Sequence, residues 1–289
     1  MANSTGQGFG TPRNIAGGAG IFKSSATPHS AIGNTSNLKG YPITISGSNQ
    51  VTFTLNASKT VPVMIWTGND WFELRESKTY TFVGLSTNTL IDSDGAISTT
   101  NAVASTAPYY FYVGIDDAGS LLMYPSLSAP SFVEGPNEGN MLGHPGTARA
   151  MFWTYVGYAV ATTASTAPVF LAATKIDKTY HFAAQAVATG TTFALVDFSA
   201  VLPKHGVTCG GYIQKSAGTI DGGETHQISA SSTAAQGGIV AHQGTTAALT
   251  KAPFSGLGVL PSGKFYGNAA AAVVSDLATI GVVSVVDLV

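Results

Sequence analysis

Apolar and polar residues alternate with period two along most of the chain from Ser46 onward. Val51, Phe53 and Leu55 alternate with threonine and asparagine, and the same alternation returns at residues 61–65. Alternation of this kind predicts half-buried β-strands. No stretch combines a clear helical period with caps, so we predict an all-β protein of β-sandwich or jelly-roll-like domains. Aromatic and β-branched stretches predict further strands at 80–82, 109–115, 121–124, 151–158, 169–171, 180–182, 191–196, 207–213, 239–240, 265–266 and 280–289.

The first 45 residues differ from the rest, because glycines interrupt a polar segment that has only a few apolar anchors. Such a segment cannot build a core, and its composition predicts disorder unless a partner orders it. We expect an extended attachment arm that lies on a partner; the alternative is an arm that folds back on its own domain. The candidate docking residues are Phe9, Arg13, Ile15, Ile21, Phe22, Lys23 and Lys39.

A cluster of glycine and proline residues predicts a linker at 131–147. Glycine and proline interrupt regular structure, and they are frequent where few contacts cross between domains. The linker divides the chain into a β-sandwich domain at 46–130 and a second β-sandwich or jelly-roll domain at 148–289, with the arm at 1–45 before them.

Charge is scarce: charged residues make up 10% of the chain and hydrophobic residues 44%, whereas an ordinary domain carries about 25% charged residues. Threonine, serine, alanine and glycine must therefore cover much of the surface, and such a surface suits permanent neighbours. The net charge of -2 gives no basic field for nucleic acid. The first 69 residues carry four cations and no acid, so the two ends of the molecule could prefer different partners; ordinary solvated side chains are the alternative.

The single cysteine, Cys209, excludes an intramolecular disulfide. The polar start lacks the apolar core of a signal peptide, so we expect synthesis in a cytosol. The most apolar stretch, 269–289, is interrupted by Asp276 and Asp287, which favours a buried strand over a membrane span.

Motifs that carry chemistry are weak. There is no metal-protease, serine-hydrolase or zinc motif, so we predict no enzyme activity, no cofactor and no metal. The stretch 258–264 resembles a phosphate loop, but Phe265 replaces the required serine or threonine and Pro261 removes an amide, which favours a turn. The six histidines are scattered: His29, His144, His181, His205, His226 and His242.

Two further patterns each allow two interpretations. Asp92-Ser93-Asp94-Gly95 begins like a calcium loop, and Asp116 could add a ligand, but aspartate before glycine is also typical of turns. Trp66 and Trp71 could form an exposed platform that stacks on sugars, or could fill the core or a subunit interface.

The sequence resembles head-fibre, decoration and tail-fibre proteins of tailed bacteriophages. The resemblance lies in the glycine-rich arm and in two stretches, Tyr109-Tyr110-Phe111-Tyr112-Val113-Gly114-Ile115-Asp116-Asp117-Ala118-Gly119-Ser120-Leu121 and Trp153-Thr154-Tyr155-Val156-Gly157-Tyr158. It implies a homotrimeric β-sandwich protein that an N-terminal segment fixes to capsid or tail proteins of a virion.

Two functions follow as expectations. The first is a non-enzymatic virion protein, namely a capsid decoration protein or head fibre anchored by its arm. The alternative is a tail-associated module that binds a host-surface glycan through aromatics such as Trp66 and Trp71. Neither expectation involves nucleic acid or a membrane.

Overall fold

The fold is available as a computed structural model, in which all regular structure is β. This confirms the predicted all-β class; the described residues contain no helix, and therefore none that could cross a membrane. The described residues are 21–23, 43–45, 49–58, 62–66, 71–83, 88–101, 103, 106–116, 119–133, 141–147, 151–163, 169–176, 178–189, 192–205, 207–215, 225–232, 238–241, 251–270 and 278–287.

The strands are numbered in chain order. The first eleven are β1 (Ile21–Lys23), β2 (Ile43–Ile45), β3 (Gln50–Leu55), β4 (Val63–Trp66), β5 (Trp71–Leu74), β6 (Lys78–Val83), β7 (Asn88–Ile91), β8 (Ile97–Asn101), β9 (Pro108–Ile115), β10 (Leu121–Ser126) and β11 (Ser131–Val133). The others are β12 (Met141–Gly143), β13 (Thr154–Val160), β14 (Ala173–Ile176), β15 (Thr179–Thr189), β16 (Ala194–Asp197), β17 (Val207–Lys215), β18 (Thr225–Ser229), β19 (Gly238–Ala241), β20 (Lys251–Val259), β21 (Lys264–Ala270) and β22 (Ala278–Asp287).

Two large sheets and two small ones contain these strands. The larger sheets have the orders β20-β17-β22-β15-β14-β2-β3-β6 and β11-β12-β13-β9-β10-β7-β8. The smaller sheets have the orders β16-β21-β18-β19 and β1-β5-β4. Neighbouring strands are antiparallel except for β10 and β7, which meet at one parallel residue pair.

Sequence alternation explains strand β3 directly. Val51, Phe53 and Leu55 are fully buried, whereas Thr52 and Thr54 are half-buried on the opposite face. Strands β9 and β13 differ, because every residue of both is buried. Strands with this pattern are covered on both faces, so β9 and β13 form the centre of the core.

Aromatic rings fill the space around β9. On one face Phe111 lies 4.5 Å from Phe53 and 5.6 Å from Phe82, measured between ring centroids. On the other face Tyr110 and Tyr112 contact Tyr155 at 6.3 and 5.9 Å. The tyrosine-rich stretch at 109–112 is therefore a core element.

Three hairpin turns share one hydrogen-bonding pattern. In each, the first residue's N–H donates to the carbonyl four residues later, and a glycine at the fourth position has positive φ. Glycine is favoured there because a left-handed backbone is strained for other residues. The turns are Asp92–Ala96 with Gly95, Asp116–Ser120 with Gly119, and Leu260–Lys264 with Gly263. The phosphate-like stretch is therefore a hairpin turn.

The predicted domain division needs correction. Strand β2 pairs with β3 on one side and with β14 on the other, so one sheet contains strands from both predicted domains. The predicted linker contains β11 and β12, which belong to the seven-stranded sheet. Glycine and proline around these strands mark short connections within a sheet, which composition alone does not distinguish from a domain boundary.

The last residues of the predicted arm at 1–45 also belong to the folded core. Ile43 and Ile45 are buried in the core at 0% and 4% exposure. Strand β1 pairs with β5 of the same chain, with Ile21 opposite Leu74. The candidate residues Phe9, Arg13, Ile15 and Lys39 lie outside the described residues.

Candidate functional site

The predicted sugar platform is not supported at Trp66. Trp66 and Trp71 lie opposite each other on the β4–β5 hairpin, as their spacing suggests. However, Trp66 is only 8% exposed, so its ring does not offer a face to a ligand in solution. The alternative interpretation, a buried tryptophan, describes this residue.

The aspartates of the candidate calcium loop serve as turn acceptors. Asp92 Oδ1 accepts hydrogen bonds from the backbone N–H groups of Asp94 and Ala96, both at 2.9 Å. Asp116 Oδ1 accepts one from the N–H of Ser120 at 2.7 Å. In the part of the chain that the structure describes, no group of three or more His, Cys, Asp or Glu residues could hold a metal ion.

A buried serine and a buried histidine contact each other near the Asp92 turn. Ser126 Oγ lies 2.9 Å from Nε2 of His144, and Nδ1 of His144 accepts a hydrogen bond from the N–H of Gly146 at 3.0 Å. Since Nδ1 is an acceptor, a neutral imidazole carries its proton on Nε2 and donates it to Ser126. A general base would need that nitrogen free to accept the serine proton. The geometry of the Ser126–His144 pair therefore fits a structural role.

Close packing explains why the His144 loop contains a glycine. A Cβ atom at Gly146 would lie 2.2 Å from the backbone carbonyl carbon of Asp94. On the same turn, the carbonyl of Gly95 accepts a hydrogen bond from Trp153 Nε1 at 3.1 Å. The His144 loop, the Asp92 turn and Trp153, which directly precedes β13, thus pack against one another.

A buried polar cluster surrounds Asp287, the last residue of β22, which is fully buried. Its Oδ2 accepts a hydrogen bond from the Tyr155 hydroxyl at 2.9 Å, and its Oδ1 lies 3.1 Å from Nε2 of His205. Tyr155 is on β13 and His205 is in the connection before β17. The carboxylate thus joins three separate elements.

Tyrosines surround this carboxylate. Tyr110 and Tyr155 contact the His205 ring at 5.7 and 5.2 Å between centroids, and the Tyr110 hydroxyl accepts a hydrogen bond from the N–H of Lys204 at 2.7 Å. The Tyr180 hydroxyl accepts one from the N–H of Tyr158 at 2.9 Å. These bonds connect β9 and β13 to the neighbouring elements.

A buried lysine lies in the same region. Lys175 points inward from β14 at 2% exposure. Its Nζ is 3.5 Å from the carbonyl of Val156 and 5.3 Å from the centre of the Tyr180 ring. Burial lowers the pKa of Lys175, and the negative charge of Asp287 only partly opposes this.

The pKa of Asp287 results from opposing effects. Burial favours the neutral acid, but the hydrogen bond and charge of His205, the charge of Lys175 and the Tyr155 hydroxyl outweigh burial and hold the pKa below its ordinary value. Burial and the Asp287 charge raise the pKa of Tyr155, Tyr158 and Tyr180. The cluster therefore contains an ionised carboxylate among neutral phenols.

The described residues of the cluster do not form a nucleophile–histidine–aspartate triad. A histidine–aspartate pair activates a nucleophile through the second ring nitrogen, yet Nδ1 of His205 is buried and has no hydrogen-bond partner among the described residues. Burial raises the pKa of Cys209 to about 12, which makes its thiol a poor nucleophile. A cavity beside Tyr158 and Tyr180 has a volume of about 10 Å³, which is room for about one water molecule.

Comparison with protein-family models, curated proteins and solved structures finds no match to this chain. Functional inference therefore depends on the chemistry of the chain itself.

The sequence did not reveal these buried pairs. His205 and Asp287 are 82 residues apart, and Ser126 and His144 are 18 apart, so no short motif contains both members. The one available signal was Asp287 itself, since a carboxylate at the end of an apolar strand needs a partner when it is buried.

Proposed function

We propose that this chain is a non-enzymatic structural protein of a tailed-bacteriophage virion, a capsid decoration protein or head fibre that works as a homotrimer. The bacteriophage part of the proposal comes from the resemblance of its sequence. The structural part is supported by one broad surface without charge, which is described next.

The outer face of the eight-stranded sheet carries two rows of residues that contain no Asp, Glu, Lys or Arg. Register places the members of each row directly opposite one another on successive strands, so they share a face. The first row is Thr81, Thr52, Thr44, Thr174, His181 and Ser284. The second row is Ile176, Thr179, Val286, Thr208 and Gly258. We call these eleven residues the neutral face.

Five residues of the neutral face are exposed and the other six are half-buried. Thr44, Thr81, Thr174 and His181 are exposed, and Ile176 is exposed to 61%. With strands about 4.8 Å apart, the first row alone extends roughly 24 Å. Such a surface can be covered by a neighbouring subunit without removing a charge from water, which is the main cost of covering an ordinary protein surface.

Interior polar groups support the same class of function. The His205–Asp287 and Ser126–His144 pairs are buried, and their hydrogen bonds connect strands and turns of the chain itself. Buried polar networks of this kind favour one rigid arrangement. Rigidity suits a protein whose role is to hold a position in an assembly.

A charge placed on the neutral face tests the proposal. Thr174→Lys puts a cation in the middle of the first row, and Ser93→Lys puts one in the exposed Asp92 turn as a matched control. We expect both chains to fold with unchanged thermal unfolding, while Thr174→Lys lowers the occupancy of the chain in purified particles at least several-fold. Normal occupancy of Thr174→Lys would show that the neutral face is not part of the interface. Absence of the wild-type chain from particles would contradict the virion role.

A glycan array with the full chain tests the alternative. A structural attachment should bind no sugar above background. Selective binding of one glycan class that is lost in Trp71→Ala would instead favour the tail-associated receptor-binding function.

A further inference from the structure

Strand β1 belongs to the smallest sheet, and one strand pairing joins it to the other described strands. Its backbone pairs with β5 over three residues, Ile21 with Leu74, Phe22 with Glu73 and Lys23 with Phe72. Among the described strands β1 has no other pairing partner. From this arrangement we propose that β1 is exchanged between copies of the chain, so that β1 of one copy pairs with β5 of the next.

The receiving strand β5 has contacts of its own with the core. Leu74 on β5 and its partner Val63 on β4 are buried in the core at 0% and 1% exposure. Strand β5 lies in the middle of the order β1-β5-β4. The edge of β5 that does not pair with β4 therefore presents backbone N–H and C=O groups that need hydrogen-bond partners. A β1 segment from either copy can supply these partners equally well.

The length of the connection permits exchange. Residues 24–42 join β1 to β2, and a chain of that length reaches on the order of 60 Å when fully extended. The same hydrogen bonds form when β1 pairs with β5 of its own chain and when it pairs with β5 of another copy. The choice between these two arrangements therefore depends on which β5 edge has the higher effective concentration near β1. A neighbour held in fixed position by an assembly can supply that edge.

Exchange leaves the other sheets unchanged. The three-stranded sheet shares no strand pairing with the two large sheets, so among the described strands the pairings that move with β1 are its three residue pairs with β5. This inference deepens the proposed assembly role and rests on it for the presence of neighbours. It identifies the partner surface of Ile21, Phe22 and Lys23 as the β5 edge of a second copy.

Cysteine pairs placed across the register test the exchange in the full chain. Residues directly opposite on antiparallel strands have Cα atoms about 4.5 or 5.5 Å apart, which a disulfide can bridge. Phe22→Cys with Glu73→Cys is the first pair, and Lys23→Cys with Phe72→Cys is the second. Two pairs are used so that the result does not depend on the effect of replacing one particular side chain. Cys209 stays in place because it is buried and its pKa is raised to about 12.

Non-reducing denaturing gels of the oxidised chain separate the outcomes. We expect most of the cross-linked protein as covalent oligomers, at a yield that does not fall when the assembled protein is diluted tenfold before oxidation. The control, Phe22→Cys with Glu76→Cys, places the second cysteine at an exposed site outside the register and should give few oligomers. Cross-linked monomers alone, or no cross-link with either pair, would overturn the exchange.

This test needs only the purified chain. If oligomers form but the chain is missing from particles, the exchange stands and the virion role fails. If the chain is present in particles but yields only cross-linked monomers, the virion role stands and the exchange fails.

Discussion

Asp287 connects β22 to β13 and to the loop before β17 through one carboxylate group. Asp287→Asn keeps the size of the side chain but removes the charge that faces His205 and Lys175. Breaking a buried charged pair on one side costs about 3–5 kcal/mol. We therefore expect a loss of that order in the free energy of unfolding at pH 7, measured by chemical denaturation, with Asp94→Asn in the exposed turn as a control without effect.

The pH dependence of this variant follows from the lowered pKa of Asp287. Because the folded protein favours the ionised carboxylate, its contribution is present above the ordinary pKa of 3.8 and is lost as pH falls through the lower folded-state pKa. The difference between wild type and Asp287→Asn should therefore shrink below pH 4. A difference that stays constant from pH 7 to pH 2 would contradict this explanation.

Lys175 has the opposite effect on stability. Its lowered pKa means that the folded protein disfavours the charged lysine, so wild-type stability rises as pH increases from the folded-state pKa toward 10.5. Lys175→Met removes this cost and keeps the apolar stem. We expect a higher melting temperature at pH 7 and a gain that declines toward pH 10.5, because the desolvation of the charged lysine outweighs its attraction to Asp287. Lys78→Met, at a half-buried position of β6, serves as the control.

At the scale of single elements, β17 approaches β22 closely at Gly211. A Cβ atom at this position would lie 1.9 Å from the carbonyl oxygen of Gly281, next to the register shift between Gly210 and Gly211. Gly211→Ala should therefore cost at least about 1–3 kcal/mol, since backbone atoms must move. Gly258→Ala on β20 places its Cβ 3.4 Å from that of Ala230 and should be tolerated. Equal thermal unfolding of the two variants would show that the strands separate easily.

Strands and turns were predictable from the sequence to different extents. The alternation at Val51–Leu55 predicted β3 because one face of the strand is buried, and the aspartates at Asp92 and Asp116 indicated turns as one of two interpretations. Trp66 was open to two interpretations, because a tryptophan in an alternating strand fits a core and a surface platform equally well. The contact between His205 and Asp287 was not predictable, since it depends on how distant strands are ordered in the sheets.

At the scale of the whole molecule, the eight-stranded sheet joins the two halves of the chain through β2. The division into 46–130 and 148–289 missed this link because a strand of three residues, Ile43–Ile45, carries little pattern of its own. Neither half contains all the strands of that sheet. The folded body therefore includes Ile43–Ile45.

Two N-terminal truncations that differ only around β2 test where the body begins. Deleting residues 2–40 retains β2 but removes β1 and its three residue pairs with β5, so we expect a soluble β-rich protein with a modestly lower unfolding temperature that no longer joins particles. Deleting residues 2–45 also removes Ile43 and Ile45, which are almost fully buried, and burying two such side chains contributes about 3–6 kcal/mol. It also leaves the facing edges of β3 and β14 without their shared partner. The longer deletion should therefore unfold at a much lower temperature or aggregate. Equal stability of the two truncations would mean that β2 is dispensable, and normal particle occupancy of the shorter truncation would mean that residues 2–40 are not the anchor.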